Sequence, residues 1–60
     1  GIVAKVKINK NSLITSKMIT YKRPFIGLAP KDTKKVLNHI TLKNFQVDEP
    51  IKVKHLKKSE

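Results

Sequence analysis

Sixty residues without a cysteine exclude a disulfide framework and a thiolate metal site. A domain of this length buries only about 60% of the surface its unfolded chain exposes, so it has no spare core. Thirteen Lys and one Arg against four acids give a net charge of +10, which sets up a strongly positive field and leaves little room for a flat uncharged face.

Taken in chain order, Ile2, Ala4, Val6 and Ile8 alternate with Lys5 and Lys7, and this period of two predicts a half-buried first strand. Asn9-Lys10-Asn11-Ser12 is a turn cluster in which either Asn tolerates a positive φ. Leu13 and Ile14 are expected to bring the chain back to the core. Thr15 to Ile19 reads as a single helical turn capped by Thr15 or Ser16, with Met18 and Ile19 inward. Thr20 to Lys22 should be extended, because Pro24 pushes Arg23 away from helical angles. Pro30 is placed to open a second short helix, with Asp32 and Thr33 in its first turn and Lys34 and Lys35 near its end. Val36 and Leu37 face the core, and Asn38 and His39 close the helix. Ile40, Leu42 and Phe45 suggest another short strand. Val47 to Pro50 turns the chain, Ile51 and Val53 return it, and His55 and Leu56 form a last turn before a polar tail. No apolar run approaches the roughly 18 residues of a membrane span, and the start of the chain lacks the pattern of a signal peptide. That start reads as the abrupt beginning of a strand and predicts a piece of a longer protein. The lack of cysteine fits a reducing compartment, the cytoplasm.

An internal echo accompanies these elements. A shift of 37 residues lays Ile8 on Phe45, Ile14 on Ile51, Lys17 on Lys54 and Ile19 on Leu56. Each half reads as strand, polar turn, short return and one helical turn. Two such halves packed face to face would share one core. The fold class expected is therefore mostly β, small and compact, with one-turn helices and an internal pseudo-twofold.

Few residues carry chemistry. His39 and His55 are the only imidazoles, and no acid stands at metal-ligand spacing around either, so no metal is expected in this domain. Asp48 and Glu49 are adjacent in a turn, which favours a solvated bend over an acid–base pair. With only Gly1 and Gly27 there is no glycine-rich phosphate loop, and no catalytic residue is assigned. Neither nucleic acid nor membrane is expected as a partner: one Arg and three aromatics are too few for base readout or stacking. The charge either keeps a Lys-rich surface soluble or meets a small acidic ligand. Arg23 is the exception in kind, the one guanidinium among ammoniums, and its planar fork suits a carboxylate, phosphate or amide oxygen. It reads either as an ordinary surface Arg or as a ligand contact. Phe25 and Ile26 read either as core plugs or as an apolar tip.

Ile2-Val3-Ala4, Ile14-Thr15, Met18, Lys22-Arg23-Pro24, Gly27-Leu28-Ala29-Pro30, Val36-Leu37 and Asp48-Glu49-Pro50-Ile51 follow one another in an order and spacing that resemble the C-terminal antifreeze-like (SAF) domain of the sialic acid synthase family. The resemblance covers essentially the whole chain. It implies the compact pretzel (β-clip) fold shared with type III antifreeze proteins. It also implies a parent enzyme, an N-acetylneuraminate synthase or relative, in which a (β/α) barrel holding a divalent metal condenses phosphoenolpyruvate with N-acetylmannosamine or a related amino sugar. The implied role of this domain is a non-catalytic lid over the barrel of the other subunit in a domain-swapped homodimer. Arg23 matches the family's substrate-binding Arg, with Lys22, Phe25 and Ile26 as secondary candidates. Phe25-Ile26-Gly27 departs from the family's Gly-x-Gly, which adds bulk and removes backbone freedom. That opens the choice between sialic acid and another nonulosonic acid as product. Asn11 and Asn38 stand where the family has Gly. An SAF-type carbohydrate-binding or assembly module on another parent is the alternative, and an ice-binding protein the remoter one.

Overall fold

The structure, a computed structural model, describes residues 1–23 and 28–59. The elements run β1 (Ile2–Ala4), a 3-10 turn (Ser16–Met18), β2 (Ile19–Tyr21), a longer 3-10 helix (Pro30–Lys35), β3 (His39–Thr41), a second 3-10 turn (Val53–His55) and β4 (Leu56–Lys58). β1 pairs antiparallel with β2, Val3 opposite Thr20, and β3 with β4, Ile40 opposite Lys57. Two-stranded sheets of three residues are not stable alone. Bridges at Val3–Pro50, Ile8–Phe45 and Leu13–Ile40 tie these two together.

The tie is reciprocal, and the 37-residue echo is its sequence trace. Ile8 donates its amide to Phe45 (2.9 Å) and Phe45 returns it (2.8 Å). Ile14 donates to His39 while Ile51 donates to Ile2, both at 3.0 Å. Lys5 donates to Met18 and Leu42 to His55, both at 2.7 Å. Each residue in these bonds has its counterpart 37 positions away, so residues 1–22 and 38–59 form two equivalent halves. The core repeats the pairing: Ile8 with Phe45, Ile14 with Ile51 and Ile19 with Leu56 are all buried, and Val36 closes the cluster from the connector. The small mostly-β fold, its one-turn helices and its pseudo-twofold are as the sequence predicts.

Three local readings are corrected. β1 ends at Ala4 with all three of its residues buried, so the alternation through Ile8 is not one strand. The chain bends at Lys5-Val6 to deliver Ile8 to the twofold, which leaves Val6 42% exposed. Leu13, Leu42 and Val53 are likewise exposed, at 43%, 40% and 46%, and are not part of the core. Leu56 belongs not to a terminal turn but to β4, as the echo onto Ile19 of β2 requires. The positive-φ residues are Asn11, Asn38 and Asp48, whereas Asn9 keeps an ordinary angle.

Candidate functional site

The segment between the halves starts at the candidate residues. Lys22 follows β2 directly, and its backbone is held on both sides by Gly1: its amide donates to the Gly1 carbonyl (2.9 Å) and its carbonyl accepts from the Gly1 nitrogen (2.6 Å). Its ammonium lies 2.7 Å from Asp48 Oδ1 in the turn of the other half. Arg23 is the next residue, in a bend and exposed. Phe25 and Ile26 lie outside the described residues. The segment re-enters at Leu28, whose carbonyl accepts from Ile2 (3.1 Å), so both its ends rest on β1 and β2.

The helix that follows is locally specified. Pro30 occupies its first position, where a missing N–H costs nothing. Asp32 Oδ2 accepts the Ala29 amide (3.0 Å), and the Asp32 amide donates back to the Ala29 carbonyl (2.8 Å). That backbone contact, with help from Lys35, holds the Asp32 carboxyl below the usual carboxylate range. Thr33 gives its hydroxyl proton to Pro30 (2.6 Å), so the Tyr21 hydroxyl donates to Thr33 Oγ1 (2.7 Å). Tyr21 thereby fastens the helix to β2.

Charges are spent locally. Each described carboxylate meets a lysine: Asp48 with Lys22, Asp32 with Lys35 at 3.4 Å, and Glu49 with Lys43. Lys43 and the Gln46 amide lower the Glu49 pKa. Lys43 also lies 5.1 Å from the centre of the Phe45 ring, against which His55 packs edge-on at 6.2 Å. Burial, and then Lys43, Lys54 and Lys52, push the His55 imidazole below its ordinary value. His39 Nδ1 donates instead to the Leu37 carbonyl (2.9 Å). Among the described residues no three of His, Asp and Glu converge as a metal set. The arrangement is a rooted strand end that carries Lys22 and Arg23, beside described carboxylates that are each engaged by a lysine.

Sequence reasoning singled out Lys22 and Arg23 but read Asp48 as a plain solvated bend and gave Tyr21 no role. The one trace of the first was available. Asp48 is the echo of Asn11, a charge standing where the other half has an amide.

A family profile described as SAF domain matches residues 1–57, nearly the whole chain. The chain belongs to the SAF domain family. No curated protein and no solved structure matches it. Within this SAF domain the profile spans both halves and the segment that joins them, so the pseudo-twofold and its connector form one family unit.

Proposed function

We propose that this SAF domain is the non-catalytic, substrate-facing lid of a synthase that condenses phosphoenolpyruvate with N-acetylmannosamine or a related amino sugar. The observation that carries the reading is Arg23. The sole guanidinium of the chain stands exposed at the first residue of the stretch that breaks the pseudo-twofold, on a strand end held by Gly1. A symmetric core needs no such residue there. In this reading the domain caps the barrel of the other subunit in a domain-swapped homodimer, and Arg23 binds an oxygen of the amino sugar. Lys22, Phe25 and Ile26 are its neighbours in the lid segment. The barrel, not this domain, supplies the divalent metal and the phosphoenolpyruvate site, and the enzyme is cytoplasmic.

The test is kinetic. In the full-length parent, Arg23→Ala should lower kcat/KM for the amino sugar by about ten- to a hundredfold, the equivalent of roughly 1.5–3 kcal/mol for a charge-assisted hydrogen bond. Arg23→Lys should recover only part of this, since an ammonium cannot reproduce the fork. Both variants should melt within a few degrees of wild type. Unchanged kinetics would remove Arg23 from the site, and a parent without a barrel would turn the reading to an SAF-type carbohydrate-binding or assembly module.

A further inference from the structure

Two turn positions that the pseudo-twofold makes equivalent, 11 and 48, differ by one charge. Asn11 and Asp48 both sit in the left-handed region, at φ 67° and 68°. Each donates its amide to a strand of the other half, Asn11 to Thr41 (2.8 Å) and Asp48 to Ala4 (2.7 Å). Asn serves that backbone as well as Asp does, so the turn itself does not call for a carboxylate at 48. What the carboxylate adds is its contact with the Lys22 ammonium at 2.7 Å. The equivalent positions, Asn11 and Ser59, carry no charge and can form no ion pair. Both roots of the Lys22–Asp48 pair are fixed, one by Gly1 and the other by Ala4. The pair crosses from one half to the other immediately before Arg23.

We propose that Asp48 is a positioning residue of the candidate site: it ties the Lys22 ammonium to the opposite half and so fixes the strand end from which Arg23 follows. The assignment rests on the role given to Arg23 above, and it makes Lys22 a strut. Both partners are about half exposed, at 52% and 55% of their side chains, so the pair should contribute little to melting.

The experiment reads Arg23 directly and uses no ligand. The Arg23 Nε–H resonance is followed by NMR in the 15N-labelled chain, in Asp48→Asn, in Lys22→Met and in the double variant. Each single change should move that resonance, and the double change should move it no further than the larger single one. Sodium chloride at about 1 M, which shortens the screening length to about 3 Å, should shift the wild-type resonance toward its Asp48→Asn position and leave the variants in place. Asp48→Asn should retain the turn, as Asn11 does, and slow solvent exchange of the residue 48 amide would check that. If the turn is lost, Lys22→Met decides alone, because it leaves the turn untouched. An unmoved Arg23 resonance, or additive shifts in the double variant, would overturn the assignment. Kinetics of Arg23→Ala fail or succeed independently: unchanged turnover there would remove the sugar from Arg23 while leaving the Asp48 restraint as measured.

Discussion

His55 shows what one residue does when a symmetric fold gives it an apolar neighbour's place. Its counterpart is Met18, and the carbonyls of both accept the same kind of amide at 2.7 Å. The imidazole packs on the buried Phe45 ring, and its Nδ1 is buried without a hydrogen-bond partner among the described residues. A charge there is opposed by desolvation and by Lys43, Lys54 and Lys52, and favoured by Glu49. The folded pKa is therefore depressed below the ordinary value of about 6.5. Above that pH both folded and unfolded chains hold a neutral ring, and stability is complete. As the pH falls from about 6.5 through the folded pKa, the unfolded chain takes up its proton first and stability is lost. Asp32 and Glu49, whose folded pKa values are also lowered, contribute above the ordinary carboxylate range and are lost in a separate, more acidic step. Melting temperature against pH should thus fall in two stages. His55→Met, which copies the other half, should abolish the upper stage and keep the lower one; an upper stage that survives in the variant would assign it to another group.

At the scale of elements, the two halves solve one turn in two ways. Glu49 donates directly to the Gln46 carbonyl (3.1 Å), with Ala4 packed opposite. In the other half Thr41, fully buried, inserts its hydroxyl between the same two groups: it accepts from the Ser12 amide (3.0 Å) and donates to the Asn9 carbonyl (2.8 Å). Thr41→Ala should let the turn close directly, as it does opposite Ala4, at a cost of about 1 kcal/mol. Thr41→Val should hold the turn open with both groups unpaired, at about 1–3 kcal/mol for each. Thermal melting should therefore rank Val below Ala, the reverse of an order set by buried apolar area. About 1 kcal/mol corresponds to some 4–8 °C in a domain this small, so the two are separable. Such exchanges also mark what was legible in the sequence. The left-handed Asn11, the Pro30 start and the repeat of Ile14 in Ile51 are set by local chemistry, and each could be read residue by residue. The end of β1 at Ala4 could not, because it depends on where Phe45 waits to receive Ile8. Of the candidate site, Lys22 and Arg23 stood out by kind. Asp48 did not, since its partner lies 26 positions away and only the fold brings them together.

For the whole molecule the excess of lysine matters more than any one pair. The described carboxylates are each engaged, and the net charge is +10, so lysines far outnumber the acids that could offset them. Such self-repulsion opposes the compact state and is screened by salt. The melting temperature should rise as sodium chloride is raised from about 10 mM to about 0.5 M, even though the ion pairs weaken; a fall would mean that the three pairs outweigh the repulsion. The reciprocal backbone bonds carry a different lesson, about time. A half that has formed its own hairpin still lacks acceptors for Ile8 or Phe45, Ile14 or Ile51, because each of those acceptors belongs to the opposite half. Folding must close the loop between the halves before most of the reward arrives, and that entropic toll falls early. An arrangement with one half built and the other loose has no well of its own to rest in. The chain is thus committed to cross its barrier in a single passage, and a substitution in either half is felt as the release of both.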